Sequence, residues 1–430
     1  VLKLAGVLPE TVYCAEDLEH VKSPFVFATF PSVEVAHFVC ERCVLVTRVY
    51  HLWGTGRTDE ELHREIQHLD DRVTGPCFSA ESSWSIQVDA FGKRLNMGEQ
   101  EKLRKKLAFI PFEGPVKLKK PDNQFWYIEE YNPQGVPCNQ ADTRNPIRKF
   151  FLLEIAHGRS DLVVKYSLKS RKFLGPTSMD TEFAFIMANC ALARPGSFIF
   201  DPFVGTGSLL IAAKVFGAVC LGTDIDIRML HAKRFRKTND LFSNYEQYGL
   251  EPPCTVRADM SQRGNCLRQV AMFDGIIADP PYGVRAGARK CGSKDAEVKK
   301  IPEHRLHDHI PQTQPYHGTE VMLDLLNFSA KYLVLGGRLV YFLPVEKDIY
   351  TVADVPNHDC LSLISNCEDP LASAFARRLI TMEKVAEPVD SESSIAYYSD
   401  GREHGTLEPS LRQKIELKGI MERDAKRPKT

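Results

Sequence analysis

An acidic residue, two prolines and a tyrosine follow the apolar run at residues 273–278. These four residues are Asp279, Pro280, Pro281 and Tyr282. Because proline fixes φ and has no N–H, the loop is rigid and its carbonyl groups remain available as acceptors. Such a loop can hold a planar amine: the Asp279 carboxylate accepts one N–H, a proline carbonyl accepts the other, and the Tyr282 ring covers the flat face. The same tetrapeptide is equally typical of an ordinary Asp-Pro turn.

A second motif begins at Asp201, after the apolar residues 198–200, and contains Gly205 and Gly207. Glycines before a helix let the backbone approach a ligand closely. The dinucleotide fingerprint requires a further glycine where this chain has Leu210, which disfavours NAD and FAD. The phosphate-binding loop of nucleotide hydrolases requires a Gly-Lys-Ser/Thr ending, which this motif lacks.

Four successive predicted strands end at Asp201, Asp224, Asp259 and Asp279. In an open α/β sheet the ligand binds beyond the carboxyl ends of the strands, so these acids are expected to line one cleft. Asp224 follows the glycine motif by about 20 residues, a spacing that suits the hydroxyls of a ribose. A nucleoside cofactor without a pyrophosphate fits best, and S-adenosyl-L-methionine, with its cationic sulfonium, is the candidate.

From residue 198 onward, predicted strands alternate with helices, which favours a mostly parallel, doubly wound α/β sheet. A basic helix is predicted over 227–240 and an apolar one over 319–334. The last two strands, 361–367 and 378–383, are separated by a short segment, which predicts an antiparallel pair at one edge of the sheet.

Residues 1–135 predict a separate α+β module, and their most basic stretch lies between residues 102 and 120. Lys105, Lys106, Lys119 and Lys120 are its candidate RNA contacts, with the aromatic residues Phe109, Phe112 and Trp126 interleaved. This pattern is typical of a nucleic-acid surface and equally of solvated helix faces. A linker over residues 136–165 is predicted from turn-forming residues in and just before it, whereas the charged residues 389–430 predict a disordered tail. The turn-forming residues are Pro133, Gly135, Pro137, Asn139, Asn145 and Pro146.

The 430 residues carry a net charge of −1, so nucleic-acid binding would depend on local patches and not on the whole-molecule field. No apolar run reaches the length of a membrane span, which predicts a cytoplasmic protein without a membrane partner. Cys40 and Cys43 form the one C-x-x-C pair, and no second pair or nearby histidine completes a zinc site. No metal site is therefore predicted.

The two loop motifs resemble those of Rossmann-like amino-methyltransferases, which methylate exocyclic nitrogens. More closely, the chain resembles the catalytic subunits of eukaryotic tRNA guanine-N2 methyltransferases that act on guanine at position ten. The resemblance implies a seven-stranded methyltransferase sheet over 166–388 and a ferredoxin-like/THUMP tRNA-binding module over 1–135. The matching segments are 109–114, 177–180, 222–226, 279–285, 336–340 and 377–379.

The resemblance also implies roles for single residues. Asp201, Gly205 and Gly207 would shape the cofactor loop, while Asp224 would bind the ribose hydroxyls and Asp259 the adenine amine. Thr177 and Ser178 would close over the methionine part of the cofactor. Asp279, Pro280 and Tyr282 would hold the target guanine, with Arg285 in a basic loop that faces the RNA.

A tRNA substrate and a small zinc-containing activator subunit are the partners that the resemblance implies. The strand around residues 255–258 is expected at an edge of the sheet, where its unpaired backbone groups could accept a strand of that subunit. Two other functions remain open. One is N6-adenine methylation of RNA or DNA, because the same loop grips any exocyclic amine; the other is a non-catalytic RNA-binding scaffold.

Overall fold

The computed structural model describes residues 1–7, 13–15, 23–131, 145–175, 178–235, 237–262, 267–281, 288–292, 312–371, 374–388 and 395–399. The chain divides into two compact units, residues 1–160 and residues 161–430. Each unit is described by itself below.

The first unit combines a four-stranded sheet with helices and a small two-stranded sheet. Its elements are β1 (Tyr13–Ala15), β2 (Phe27–Thr29), α1 (Val33–Cys40), β3 (Arg48–Gly56), α2 (Asp59–Gln67), α3 (Asp71–Phe78), β4 (Trp84–Phe91), α4 (Met97–Lys105), β5 (Asn123–Glu130) and β6 (Arg148–His157). The larger sheet has the order β3-β6-β5-β4, and only the pair β4–β5 is parallel. This architecture confirms the predicted α+β module.

Aromatic side chains form the core between this sheet and its helices. Trp53, Phe125 and Phe151 are at most 1% exposed, and the rings of Phe125 and Phe151 stack with centroids 5.3 Å apart. The helix α2 begins where Thr58 and Glu61 form a capping box.

The prediction of a linker over residues 136–165 is wrong for part of this segment. Residues 148–157 form β6, which lies between β3 and β5 and pairs with both. The prolines and asparagines that indicated a linker precede this strand, while its own sequence is dominated by apolar residues, of which Phe150, Phe151 and Leu152 are buried.

The second unit is built on a seven-stranded sheet. Its elements are α5 (Ser160–Lys165), α6 (Thr181–Cys190), β7 (Phe198–Asp201), α7 (Ser208–Val215), β8 (Val219–Asp224), α8 (Ile227–Leu230), α9 (Leu241–Tyr248), β9 (Cys254–Arg257), β10 (Phe273–Ala278), β11 (Arg289–Cys291), β12 (Thr313–Pro315), α10 (Gly318–Tyr332), β13 (Leu333–Glu346), β14 (Leu361–Pro370) and β15 (Phe375–Lys384). The strand order is β14-β15-β13-β10-β7-β8-β9, and β11 and β12 form a separate antiparallel pair.

The strands β7, β8, β9, β10 and β13 are parallel, whereas β14 and β15 are antiparallel at one edge. Both the doubly wound sheet and its antiparallel edge pair are therefore confirmed. Central strands are apolar on both faces because helices cover both. Phe273 and Phe328 both stack on Phe200 in the core, with centroid distances of 4.7 and 5.2 Å respectively.

The predicted basic helix over 227–240 is wrong. The helix α8 ends at Leu230, and α9 begins only at Leu241, after Asp240. Asp240 and Ser243 form a capping box, in which each side chain accepts the backbone N–H of the other residue. This capping starts a new helix at a point where the basic residues suggested a continuous one.

The tail predicted as disordered over 389–430 contains one ordered stretch at residues 395–399. Asn357 and Tyr397 exchange two backbone hydrogen bonds of 2.8 and 2.9 Å, and the Ala396 N–H donates to Asn327 Oδ1. Ala396 and Tyr398 are 4% and 6% exposed within the main core of the unit. Burial of these two apolar side chains stabilises the stretch although the surrounding residues are polar, so this part of the prediction is wrong. The other tail residues lie outside the described residues.

In the described part of the chain, no helix is both long and apolar enough to cross a membrane. Over the same residues, no group of three or more histidine, cysteine, aspartate or glutamate side chains could hold a metal ion.

Candidate active site

The four predicted acids lie at the carboxyl ends of four strands, as expected. Asp201 and Asp224 are the last residues of β7 and β8, Asp279 directly follows β10, and Asp259 comes two residues after β9. Because β10, β7, β8 and β9 are neighbours in the sheet, these acids lie side by side at the carboxyl ends of the strands.

The glycine-rich loop after β7 is held by two of these carboxylates. Asp201 Oδ1 accepts the Phe203 N–H at 2.9 Å, and Asp224 Oδ2 accepts the Gly205 N–H at 3.0 Å. Asp224 Oδ1 also accepts the Asp226 N–H at 2.8 Å. The acids therefore shape the loop through backbone donors.

The two glycines have different reasons to be glycine. Gly207 has φ of 79°, and a Cβ atom there would lie 2.9 Å from the Tyr245 hydroxyl, which donates to the Gly207 carbonyl. Gly205 has φ of 48°, but a Cβ would meet only the Phe203 carbonyl, at 3.8 Å. Gly207 thus makes a close packing contact, whereas Gly205 leaves open space above the loop.

Burial changes the protonation of the acids. Asp201 is 1% exposed, and desolvation raises its pKa well above the usual range, assisted by repulsion from Asp224 and Asp279. Desolvation raises the pKa of Asp224 to about 6, against opposing backbone hydrogen bonds. Ionised carboxylates are therefore disfavoured at this end of the sheet, and a cationic ligand would stabilise their charged forms.

A cavity opens over this loop. Its lining combines acids, hydroxyl groups and apolar side chains. The lining residues are Gly175, Ser178, Met179, Asp201, Phe203, Val204, Gly205, Thr206, Ser208, Leu209, Met229 and Asp279.

Hydroxyl groups connect the turn before α6 to the glycine-rich loop. Ser178 Oγ lies 2.9 Å from Thr206 Oγ1 and accepts the Gly175 N–H at 3.0 Å. Ser178 is thus placed at the cavity, as expected, whereas Thr177 lies outside the described residues.

Asp259 uses both carboxylate oxygens to hold backbone. Oδ1 accepts the Ser261 N–H at 2.9 Å, and Oδ2 accepts the Cys291 N–H at 2.6 Å. Asp259 therefore connects the end of β9 to β11, and it does not line the cavity that contains Asp201. Burial and the nearby Asp259 raise the pKa of Cys291 to about 11, which favours the protonated thiol over the reactive thiolate.

Asp279 is partly buried and lines the cavity, and Pro280 is buried beside it. The rigid double proline thus follows the central strand β10, where the predicted amine-binding loop requires it. Tyr282 and Arg285 lie outside the described residues.

The four candidate RNA-binding lysines of the first unit differ in their surroundings. Lys119 and Lys120 are exposed, and Lys105 forms an exposed ion pair with Glu101. Lys106 instead donates to Asp59 at 2.7 Å, and Asp59 also accepts from the buried Lys149. Lys106 therefore serves an intramolecular ion pair.

Two of the aromatic residues interleaved with these lysines pack inside the first unit. Phe112 stacks on Trp84 with centroids 4.3 Å apart, and the Trp126 indole N–H donates to Glu154 at 2.6 Å. Phe109 is 36% exposed and contacts His63. The expected interleaving thus reduces to one aromatic side chain with substantial exposure.

Several residues at the cavity were not identified from the sequence. Thr206 and Ser208 flank Gly207, so their hydroxyl groups could have been recognised as part of the loop motif. Asn244, which is fully buried, bonds through its side-chain amide to the carbonyls of Phe173 and Thr206. No local pattern indicates this residue, because its partners are distant in the sequence.

Two family models match the chain: the Tmrp11 THUMP N-terminal domain over residues 16–159 and the RMKL-like methyltransferase domain over residues 169–294. The Gallus gallus protein named tRNA (guanine(10)-N(2))-methyltransferase TRMT11 is 40% identical over 393 residues, covering 89% of this chain and 84% of that protein. The Homo sapiens protein of the same name is 39% identical over 424 residues, covering 95% and 90%. TrmN from Thermus thermophilus is a solved structure at 16% identity and a TM-score of 0.39, covering 83% of this chain and 89% of that chain. The chain belongs to the TRMT11 family of tRNA (guanine(10)-N(2))-methyltransferases.

Proposed function

We propose that this chain uses S-adenosyl-L-methionine to methylate the exocyclic N2 of guanine at position ten in tRNA. The observation that carries the proposal is the position of Asp279 and Pro280 at the end of β10, on the same cavity as the glycine-rich loop. Family membership supports the choice of guanine over adenine.

The residues at the cavity fit the proposed cofactor. Gly205 leaves the space above its loop clear, and a sulfonium would stabilise the ionised forms of Asp201 and Asp279 in the lining. Asp224 lies outside that lining; each of its oxygens already accepts one backbone N–H and has capacity for a ribose hydroxyl. Ser178 would contact the methionine part together with Thr177. Asp259, also outside the lining, would receive the adenine amine through the remaining acceptor capacity of its carboxylate.

S-adenosyl-L-methionine supplies an electrophilic methyl group on its sulfonium. The lone pair of guanine N2 is delocalised into the ring, so the amine is a weak nucleophile. Asp279 and the Pro280 carbonyl would accept its two hydrogens, which favours a more pyramidal nitrogen directed at the methyl group. Asp279 would stabilise the positive charge that develops on nitrogen and receive the proton.

A guanine within folded tRNA must leave its stack to reach this cavity, and the Tyr282 ring would replace the lost stacking. The first unit would hold the tRNA through Lys105, Lys119 and Lys120, with Lys106 in a supporting role, and Arg285 would contact the RNA near the catalytic loop. We place this activity in the cytoplasm.

A small zinc-containing activator subunit is part of the proposal. In the seven-stranded sheet, β9 lies at the edge opposite β14 and pairs only with β8 within the described residues. The side of β9 away from β8 therefore has backbone groups available to a further strand. A strand docked there would also support Asp259, two residues after β9.

Methyl transfer from labelled cofactor to unmodified tRNA, followed by nucleoside analysis, tests the function. We expect N2-methylguanosine at position ten and no transfer to the same tRNA with inosine at that position, because inosine lacks the amine. N6-methyladenosine as the product would favour the adenine alternative, and no product in the presence of the activator subunit would favour a scaffold.

A Thr255→Pro substitution tests the subunit site. The Ala258 N–H donates to the Asp224 carbonyl at 3.1 Å, so alternate donors of β9 face β8 and the Thr255 N–H faces the open edge. Thr255→Pro removes this outward donor without altering any cavity side chain. We expect loss of the complex in co-purification, while Val219→Pro, which removes the hydrogen bond from the Val219 N–H to the Ser197 carbonyl beside β7, should unfold the sheet. A Thr255→Pro chain that still binds the subunit would contradict docking at β9.

A further inference from the structure

Arg171 is a buried cation next to the cavity that the sequence motifs do not include. It is 6% exposed, and its Nη1 donates to Ser208 Oγ at 2.6 Å while its Nη2 donates to the Tyr166 carbonyl at 2.8 Å. Its Nε is buried and has no hydrogen-bond partner. Among the described residues, no carboxylate forms an ion pair with this guanidinium.

A guanidinium remains charged at any physiological pH, and burying it without an anion is costly. Two partly buried arginines of this unit do have anions: Arg338 pairs with Glu383 at 3.0 Å and Arg377 with Asp369 at 2.6 Å. Arg171 therefore differs in lacking a counter-charge from the protein, although it lies one side chain away from a cavity.

The contact of Arg171 with Ser208 sets the direction of a hydroxyl chain. Because a guanidinium only donates, Ser208 Oγ accepts from it and directs its own hydrogen elsewhere. Thr206 Oγ1 lies 3.3 Å from Ser208 Oγ and 2.9 Å from Ser178 Oγ. All three hydroxyl groups line the cavity, so each can turn a polarised O–H toward a ligand.

The helix α7 adds to the same potential. Ser208 is its first residue, after the left-handed Gly207, and the helix runs for eight residues. Its first N–H groups have no partner within the helix and make this end positive. The buried guanidinium and the helix end thus act on one side of the cavity, while Asp201 and Asp279 make another part of its lining negative.

We infer that Arg171, acting through Ser208, is the positioning residue that holds the carboxylate of the cofactor's amino-acid end. The inference rests on the proposed function and assigns a residue to it. A carboxylate at the hydroxyl groups would supply the anion that Arg171 lacks, and the acids would remain for the cationic groups of the same ligand. Arg171 does not line the cavity, so its charge acts through the Ser208 hydroxyl.

Decarboxylated S-adenosylmethionine tests this inference because it differs from S-adenosylmethionine only in lacking the carboxylate. Equilibrium binding of both compounds to the full chain, with the activator subunit where solubility requires it, gives a ratio of two affinities. In the wild type we expect the intact cofactor to bind more tightly. In Arg171→Met it should bind about tenfold more weakly or worse, while the decarboxylated compound stays within about twofold.

Two further variants keep the test decisive. Ser208→Ala removes the hydroxyl and leaves the contact of Arg171 with Tyr166, so it should show the same selective loss even if Arg171→Met fails to fold. Arg194→Met removes a half-exposed arginine that faces Asp274 at the opposite ends of the strands, and it should change neither affinity.

Equal losses for both compounds, or no loss, in Arg171→Met and Ser208→Ala would overturn the inference and leave the proposed function standing. A wild type that binds both compounds equally would also overturn it. A wild type that binds neither compound would overturn the proposed cofactor and the inference together.

Discussion

The two units bury acidic side chains in different ways. In the four-stranded sheet, Glu129 is 3% exposed, and its two oxygens accept from the hydroxyl groups of Tyr127 and Tyr131. The neighbouring Glu130 is fully buried and accepts from Arg148 and Ser23. Each of these carboxylates thus has side-chain donors within the unit, including a cation for Glu130.

In the seven-stranded sheet, Asp201 and Asp224 accept from backbone N–H groups, and Asp201 is repelled by both Asp224 and Asp279. Burial raises the pKa of both carboxyl groups, and the nearby buried cation, Arg171, bonds to a hydroxyl instead. The comparison teaches that a buried charge does not by itself indicate a ligand-binding site. A buried charge that the protein leaves without an opposite charge does indicate one, because a ligand can supply that opposite charge.

Removing Asp279 should have the largest effect. In Asp279→Ala the target amine loses its charged acceptor, and we expect methyl transfer to fall at least about a hundredfold, while cofactor and tRNA still bind. Single-turnover transfer and equilibrium binding, measured on the same preparation, separate the two effects. A variant that retains more than a few per cent of wild-type turnover would show that Asp279 does not hold the amine.

Removing Glu130 should affect folding and not the ligand. Glu130→Ala leaves Arg148 without a buried carboxylate and should cost about 3–5 kcal/mol in the free energy of unfolding. Denaturant unfolding measures the loss, cofactor affinity should be unchanged, and the exposed Glu81→Ala serves as the control. A loss below about 1 kcal/mol would contradict the assignment of this carboxylate to a stabilising network.

Asp201→Asn provides the opposite case. Because the folded-state pKa of Asp201 is raised, its ionised form opposes folding, and this cost grows as the pH rises. Without ligand, we expect Asp201→Asn to unfold at a higher temperature than the wild type at pH 8, with a smaller difference at pH 5. A variant that is less stable than the wild type at pH 8 would contradict the statement that the ionised Asp201 carboxylate opposes folding.

Asp224 connects cofactor binding to pH. Asp224→Ala should weaken S-adenosyl-L-methionine binding by ~1.5–3 kcal/mol, because ribose hydroxyl groups lose a charged acceptor. In the wild type, affinity should rise as the pH passes through about 6, since only the ionised carboxylate accepts fully. Asp226→Asn is a second test: it should keep the rise in affinity but move it to lower pH, because the Asp226 charge is one of the causes that raise the pKa of Asp224. Wild-type affinity that is flat between pH 5 and 8 would refute the role of Asp224.

The lysines of the first unit should have the smallest effect per residue. Replacing Lys105, Lys119 and Lys120 together by alanine should reduce the salt dependence of tRNA binding by about 2–3 in logarithmic slope. Lys106→Ala, which disturbs the ion pair with Asp59, should change the slope little. Filter binding over a range of salt concentrations measures both. If the slope of the triple variant is unaltered, the basic stretch is a solvated face.

Much of the sheet and of the cavity could be predicted from the sequence because their signals are local. Apolar runs that end at an acid, as at Asp201 and Asp279, place strand ends and ligand groups together. The edge position of β14 and β15 likewise followed from the short segment between them. These signals need no knowledge of partners distant in the chain.

What the sequence did not reveal depends on long-range partners. The ion pair of Lys106 with Asp59 gives no sequence signal because it joins residues 47 positions apart. Arg171 was not noticed because its role depends on Ser208, which is 37 positions away. Neither Asp59 nor Ser208 gives a local signal that would predict these contacts.

The ordered stretch at residues 395–399 has a consequence for synthesis of the protein. The core of the larger unit is closed by Ala396 and Tyr398, which lie about 200 residues after β7. At about 5–20 residues per second, translation needs about 10–40 s to pass from one to the other. During that interval the apolar faces of β7 and β10 are exposed on the nascent chain, so this unit depends on protection from aggregation at the ribosome until its last core residues have emerged.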